Sequence, residues 1–345
     1  MSAKTDAPAE QKPRVTLSEI ARHADVSVPT VSKVLNGHAD VSALTRSKVE
    51  EALRAHQYRR RPRAQTSDLL ELVFHELESE WAIEIIQGVE RVAREGGLSV
   101  VVTESGDRHS PSPGWIDGVL RRRPLGVILV FSGLSEENKR KLRSRRVNFV
   151  VVDPSGEPDP DVASVGSANW AGGMSAVRHL TDLGHRRIGM ITGPGDMLCS
   201  VARGDGYRAA LSRAGIPFDP DLVYDGTFHV QSGKDGAAYL LSLPEPPTAI
   251  FAGSDLQALG VYETARARNI RVPDDLSVVG YDDLRLARWA GPPLTTVRQP
   301  LTEMAATAAR LLVRLEEEPD LPLNQRIDLA TSLVVRQSTA APAAR

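Results

Sequence analysis

The chain has 345 residues, more than one ordinary domain, and its 41% hydrophobic and 25% charged content excludes a fibrous or largely unfolded protein. Its single cysteine, Cys199, excludes an internal disulfide and a thiolate-built zinc site. The net charge of −2 conceals an asymmetry: residues 1–66 carry 12 Lys and Arg against 7 acids, whereas the remainder carries 30 against 37. A basic head on an acidic body points either to polyanion binding by the head or to a solvated basic tail.

Residues 1–14 read as a disordered arm by composition, with no apolar run to serve as a signal peptide. No stretch reaches the roughly 20 apolar residues that span a bilayer. The expectation is a cytoplasmic protein with no membrane partner.

Residues 15–58 read as three short helices. Thr16 and Glu19 form a capping box, followed by Leu17, Ile20, Ala21 and Ala24 on one face. Residues 25–28 are a tight connection in which Ser27 is placed to cap the next helix, and Pro29 suits its first turn. Within Pro29–Asn36, Val31, Val34 and Leu35 share the inward face, leaving Pro29, Thr30, Ser32, Lys33 and Asn36 outward. Ser42 starts a third helix. This is the pattern of a helix-turn-helix, whose second helix fits a DNA major groove, although a small helical bundle or a protein-docking module has the same pattern.

Residues 59–68 form a basic linker with no apolar periodicity. Beyond it, short Val, Ile and Leu runs alternate with longer amphipathic stretches, the signature of βαβ units around a mainly parallel sheet. Strands are expected at Leu69–Phe74, Leu98–Val102, Gly126–Phe131, Asn148–Val152, Arg187–Ile191, Ala249–Ala252 and Ser277–Gly280. Helices are expected at Ile83–Glu95, Glu136–Arg145, Trp170–Leu183, Arg203–Ala214, Gly233–Leu241, Leu256–Arg268 and Leu301–Leu315. The alternation covers more than 200 residues, so two similar lobes around a cleft are the economical arrangement.

Ligands of parallel α/β sheets sit beyond the carboxyl ends of the strands. Those ends here carry the segment Glu76–Trp81, Asp153, the run Gly253–Asp255 and the run Tyr281–Asp283, and Arg203 is read as opening a helix after a glycine turn. Carboxylates and an arginine make paired hydrogen bonds to neighbouring hydroxyls, and an indole stacks on the apolar face of a pyranose. The set suits a neutral polyol better than a phosphate. Asp153 and Asp255 also read as caps or turn formers, Trp81 as packing, and Trp289 as packing. Gly193-Pro194-Gly195 lacks the Gly-Lys-Ser/Thr of a phosphate loop, and no nucleophile elbow or metal-spaced histidine cluster is present. No catalytic residue, metal or cofactor is expected. A sugar-binding receptor without DNA activity is the main alternative, and the basic head opposes it.

Residues 15–58 resemble the N-terminal domain of the lactose-repressor (LacI/GalR) family almost position for position, most specifically over Val26–Gly37. The resemblance implies that Val28, Pro29 and Lys33 face bases, while Thr16, Ser27, Thr30, Ser32 and Asn36 contact phosphates or position the helix. Lys33 stands where many members have Arg, which loses the bidentate fork. The family's hinge leucine is missing from residues 59–68. Arg59, Arg60, Arg61 and Arg63 are expected to replace it with phosphate and minor-groove electrostatics.

The resemblance continues over the body (residues 69–339, with 340–345 a tail) through Val165–Gly173, Leu183–Ile188, Arg203–Arg208, Val272–Asp283 and Pro292–Gln299. It implies an all-α head on a periplasmic-binding-protein-like α/β body of two lobes, parallel sheets and three crossovers. By the same resemblance, effector contacts fall on Asp153, Asn169, Arg203, Phe228, Asp282 and Gln299, with Trp81 in the loop after the first strand. Ser254 replaces a common Asn, and the first-strand loop lacks the frequent Asn-Pro-Phe-Phe. The implied function is a transcriptional repressor of carbohydrate-utilisation genes, a homodimer at least, binding a palindromic operator in double-stranded DNA. Its effector would be a sugar or oligosaccharide, with a plant-polysaccharide oligosaccharide the specific guess. The dimer surface would include the helix at Ile83–Glu95.

Overall fold

A computed structural model describes residues 17–35, 41–55, 67–77, 80–106, 114–130, 134–154, 161–318 and 321–343. The chain divides into two compact units, residues 1–65 and 66–345.

The first unit has three helices, α1 (Leu17–His23), α2 (Val28–Leu35) and α3 (Ala43–Ala55). Their inward faces meet in a small core of Ile20, Ala21, Ala24, Val31, Val34, Val49 and Ala52. Helix α1 stops where Asp25 takes φ 52° and Val26 N donates to Ala21 O at 3.0 Å, which satisfies the last carbonyls of the helix. Ser27 then caps α2, its Oγ accepting from Thr30 N at 3.3 Å, and Ser42 caps α3 through Thr45 N at 3.2 Å. The turn is thereby fixed by local hydrogen bonds as well as by the core.

The second unit contains two six-stranded sheets. The first has the order β11 (Arg326–Leu329), β5 (Ala163–Ser167), β4 (Asn148–Val152), β3 (Pro124–Val130), β1 (Ser67–Phe74) and β2 (Ser99–Glu104), all parallel. The second has the order β12 (Ser332–Val334), β10 (Thr295–Arg298), β9 (Ser277–Asp282), β8 (Ala249–Ala252), β6 (Ile188–Ile191) and β7 (Val223–Tyr224). It is parallel apart from the antiparallel edge β10–β12. Helices cover both faces of both sheets, which explains why β3, β4 and β8 are almost wholly apolar. Each fully buried Leu or Ile of these strands contributes about 1.5–3 kcal/mol through removal of its surface from water.

The first lobe carries α4 (Glu80–Glu95), α5 (Trp115–Arg122), α6 (Glu136–Ser144) and α12 (Leu301–Glu317). The second carries α7 (Asn169–Asp182), α8 (Leu198–Arg213), α9 (Val230–Leu240), α10 (Asp255–Ala267) and the short α11 (Arg285–Trp289). The chain passes between lobes three times: from β5 into α7, from β10 into α12, and from β11 into β12. Two of the crossings are laced together, Ala168 N donating to Leu329 O at 2.8 Å and Thr331 Oγ1 to Ala168 O at 3.3 Å.

Several boundaries differ from the sequence reading. Ser67 and Asp68 belong to β1 rather than to a linker, because Ser67 N donates to Arg123 O at 2.9 Å. Residue 340 is docked rather than part of a tail: Ala340 O accepts from His185 at 2.9 Å, and its N–H donates to Ser277 Oγ at 3.0 Å. Helix α8 begins at Leu198, so Arg203 lies in its second turn instead of opening it. Helix α4 begins at Glu80, so Trp81 is helical and not in a loop. Strands β5, β7, β10, β11 and β12 and helices α5 and α11 have no counterpart among the expected elements.

Candidate functional site

On the head, the exposed side of α2 presents Val28 (39% exposed), Pro29 and Lys33, with Ser27 beside them and Thr30 half-buried. Ser27 and Thr30 share a hydroxyl contact of 2.8 Å, so both oxygens sit together at the helix N-terminus, where backbone N–H groups favour an anion. An apolar side chain, a ring and a cation on one eight-residue helix, flanked by hydroxyls, is a surface that can meet base edges and phosphates together. Thr16, Asn36, Arg59, Arg60, Arg61 and Arg63, and the side chain of Ser32, lie outside the described residues.

In the body, the chain crossings carry the polar site. Gly173 and Gly206 let α7 and α8 pack closely: a Cβ on Gly173 would lie 2.4 Å from Arg203 O, and one on Gly206 2.2 Å from Trp170 O. That approach brings Arg203 of α8 against Asn169, the first residue of α7. Arg203 is 3% exposed; its Nε donates to Asn169 Oδ1 at 2.9 Å and its Nη1 to Gly253 O at 2.6 Å. Its Nη2 lies 4.0 Å from Asp282 Oδ1. Asp282 accepts from Gln299 Nε2 at 2.7 Å, and Gln299 Oε1 accepts from Ser167 Oγ at 2.6 Å. Asn169 Nδ2 donates to Ser167 O at 3.1 Å, which closes a ring of five residues. The ring runs through two of the three crossings.

Aromatic faces hold the guanidinium. Its carbon lies 3.8 Å from the Tyr281 ring centroid and 5.2 Å from that of Phe228. Phe228 takes φ 68°, its carbonyl accepts from Ser254 Oγ at 2.8 Å, and its ring rests on Gly193, where a Cβ would come within 2.0 Å of it. The glycine turn is therefore a seat for a phenyl ring. Ser254 also caps α10 through Gln257 N at 3.1 Å. Asp153 and Asp282 have φ 46° and 116°, so three of the effector positions read from the sequence hold backbone conformations that side chains disfavour, a pattern typical of ligand sites.

Asp153 is buried, and its Oδ2 has no hydrogen-bond partner. Burial pushes its pKa up to about 7; Arg203 opposes the shift and Asp282 adds to it. Burial also raises Asp282, against the pull of Arg203 and the hydrogen bond from Gln299. Two buried carboxylates thus share one guanidinium. Asp255 is a structural pin: it is fully buried and accepts from Thr296 Oγ1 at 2.6 Å and Leu284 N at 2.8 Å. The Cys199 thiol is pushed up to about 12 by burial, which keeps it protonated and unreactive.

Beside the ring lies a cavity of about 290 Å³ whose lining includes Asp153, Asn169, Trp170, Cys199, Arg326 and Asp328. Of the effector positions read from the sequence, the structure brings Asn169, Arg203, Asp282, Gln299 and Phe228 together, with Asp153 at the edge of the group. Trp81 is instead placed in the first-lobe core, 8% exposed and clustered with Leu284 and Leu301. Trp289, read as packing, is 86% exposed on α11. Sequence reading misses Ser167 and Trp170 as site residues and has Tyr281 only within the strand-end run Tyr281–Asp283: a serine in a short strand and a tryptophan opening a helix carry no signal until the crossings converge. Among the described residues no His, Cys, Asp or Glu cluster could hold a metal ion, and no helix is long and apolar enough to cross a membrane.

A two-lobed ligand-binding body joined to a helix-turn-helix head defines a ligand-responsive transcriptional regulator. Residues 16–61 match the bacterial regulatory proteins of the lacI family, and residues 177–339 match a periplasmic binding protein-like domain. The chain is 32% identical over 337 residues to the HTH-type transcriptional repressor CytR of Escherichia coli K12, covering 96% of this chain and 98% of that one. It is 36% identical over 343 residues to the HTH-type transcriptional regulator CelR of Thermobifida fusca, covering 95% and 99%. A solved CelR–cellobiose complex superposes with a TM-score of 0.72 at 34% identity over 94% of this chain and 100% of that one. A lac repressor dimer bound to operator and the anti-inducer ONPF superposes with a TM-score of 0.69 at 28% identity over 95% and 100%. This chain belongs to the LacI family and is a DNA-binding transcriptional regulator.

Proposed function

We propose that this regulator is a dimeric repressor of carbohydrate-utilisation genes, binding a palindromic operator until a saccharide occupies the cleft of its body. The observation that carries the ligand class is the Arg203 ring. Its donors and acceptors alternate, both of its charges are internally balanced, and Tyr281 and Phe228 supply aromatic faces. Paired charge-assisted groups beside an aromatic face suit vicinal hydroxyls on a ring with one apolar side. A phosphorylated or anionic ligand would face two buried carboxylates. CelR, solved with cellobiose, supports the same class, and the relatives are regulators rather than enzymes.

On the operator, Val28, Pro29 and Lys33 face bases, with Thr16, Ser27, Thr30, Ser32 and Asn36 on phosphates or positioning the helix. Arg59, Arg60, Arg61 and Arg63 supply electrostatics between head and body. The dimer forms through the first lobe, where α4 leaves Ile83 exposed. The ligand acts by binding one lobe arrangement better than another, which shifts their populations.

A thermal-shift screen of the full chain against monosaccharides, oligosaccharides, nucleosides and amino acids tests the ligand class. A saccharide should raise the melting temperature in a concentration-dependent way and release operator DNA in a gel shift. A response confined to nucleosides or amino acids would remove the saccharide reading. Failure to shift any genomic fragment near physiological salt would favour a receptor without DNA activity.

A further inference from the structure

We propose that the body carries a DNA-contacting surface of its own, a cationic rim where the strands of the first lobe begin, which grips phosphates of the duplex that the head holds. Residues 117–146 contain 9 Lys and Arg against 3 acids, whereas residues 67–345 as a whole contain 30 against 37. Three of the nine are neutralised within the fold: Arg122 by Glu71, Lys139 by Glu136 and Lys141 by Glu137. Arg121, Arg123, Arg140, Arg143, Arg145 and Arg146 are exposed and make no ion pair among the described residues.

Topology gathers five of these six at one edge. Strands β1, β3 and β4 run parallel and start together, Ser67 pairing with Pro124 and Gly126 with Asn148. Helices α5 and α6 end just before β3 and β4, on the same face of the sheet, so Arg121, Arg123, Arg143, Arg145 and Arg146 flank the strand starts. This edge is opposite the carboxyl ends of the strands, and so remote from the effector cleft. It is also where the chain arrives from the head: Ser67 N donates to Arg123 O at 2.9 Å and Ser67 Oγ to Arg122 O at 2.8 Å. From Ala55, which ends α3, to Ser67 is 12 residue steps, at most about 43 Å of extended chain, so a duplex bound by the head is tethered to this edge. The acids here are Asp68 and Asp161, the latter accepting from Arg143 Nη2 through its carbonyl at 3.3 Å. Glu316, Glu317 and Glu318 close α12 on the opposite face of the sheet.

Cations are common at helix C-termini, where free carbonyls carry partial negative charge, and that accounts for arginine in the last turns of α5 and α6. It does not account for Arg123 and Arg146, which hold φ 50° and 55°. A helix often ends on a left-handed residue, and glycine or asparagine fills that position at least cost. The chain follows this rule with Gly97, Gly184, Gly215 and Asn269, after α4, α7, α8 and α10. After α5 and α6, the two helices that end beside Ser67 and its neighbouring strand, it places arginine instead. A cation kept twice at a strained position serves something other than the cap. The guanidinium groups are spread along an edge and converge on no pocket, which suits a polyanion better than a small anion, and their planar forks match phosphate oxygens.

The test is binding of the full chain to a labelled random-sequence duplex of about 40 base pairs, followed by anisotropy from about 50 to 200 mM salt, with melting temperatures alongside. Arg123→Gly combined with Arg146→Gly should leave the melting temperature unchanged or raise it, because glycine relaxes both left-handed positions, yet weaken DNA binding. Arg121→Gln combined with Arg145→Gln should weaken binding likewise. Each lost phosphate contact should cost about fivefold in affinity near 150 mM salt and flatten the plot of log affinity against log salt by about 0.9. Arg213→Gln combined with Arg266→Gln removes two charges from helix ends of the second lobe and should change neither quantity. Unchanged slopes in both rim pairs overturn the proposal and leave the rim to an acidic protein partner or to helix capping. An equal effect in the second-lobe pair overturns it too, since net charge alone would then explain the loss, as does a wild-type chain that fails to bind the duplex at about 50 mM salt.

Discussion

Replacing Arg203 with methionine removes the only cation of the five-residue ring while keeping much of the side-chain volume. The guanidinium donates to Asn169 and to Gly253 O, and faces Asp282 at 4.0 Å. Loss of one partner from a buried charged cluster costs about 3–5 kcal/mol, chiefly because the remaining charges are stranded. The stranded groups are Asp153 and Asp282, whose pKa values are already raised by burial and are held down mainly by Arg203. Without it both rise further. A carboxyl with a folded pKa above its unfolded one favours the folded state at low pH, and that contribution disappears as pH climbs through the folded pKa. The deficit of Arg203→Met should therefore be larger at pH 8 than at pH 5, shrinking as pH falls from the variant's further-raised carboxyl pKa values to the wild-type values of about 7 for Asp153 and about 6 for Asp282, and levelling off below them. Urea unfolding of wild type and variant at pH 5 and pH 8, following the body transition, measures this. A deficit below about 1 kcal/mol, or one equal at both pH values, would refute the account of two carboxylates sharing one guanidinium.

Asp153→Asn should flatten the pH dependence of effector affinity, which in the wild type rises with pH through about 7 as the carboxylate becomes a full acceptor; titrations between pH 5.5 and 8.5 decide this. Lys33→Ala should weaken operator binding by about 1–3 kcal/mol and relax preference at one base pair, read by gel shift against single-base operator variants. Ser27→Ala removes the cap on α2 and should destabilise the head by about 1 kcal/mol, visible as a lower melting temperature of the head transition. Neutralising Arg59, Arg60, Arg61 and Arg63 together should flatten the plot of log affinity against log salt by about 0.9 for each phosphate these arginines neutralise; an unaltered slope removes them from the interface.

The head is legible in sequence because each of its features is local. Ser27 and Ser42 cap the helices that follow them within three residues, and the inward valines of α2 repeat at helical spacing. The strongly apolar strands β1, β3, β4 and β8 are legible for a related reason: burial on both faces writes a continuous run. Strands β11 and β12 lie at sheet edges and alternate or mix polar residues, and β5 and β10 are short and rich in Ser and Thr, so neither length nor periodicity announces them. Trp81 illustrates the opposite error. An aromatic residue just past a strand end looks like a ligand platform, but α4 begins one residue earlier than the tryptophan and rolls the indole into the core. Ser167 and Trp170 carry weight only because the chain crosses between lobes at that point.

In the proposed mechanism, the ring of four hydrogen bonds and one ion pair fuses recognition with transmission. Its links pass through the same backbone segments about which the lobes would turn, and its longest link is the 4.0 Å gap between Arg203 and Asp282. A molecule wedged there would tug on both hinge strands at once, so sensing and switching would be difficult to mutate separately. Descendants of this chain that acquire a taste for a different sugar should accordingly change the walls, at positions such as Phe228, Trp170 and Cys199. The five linked residues would stay as they are, since altering any of them would silence the signal along with the specificity.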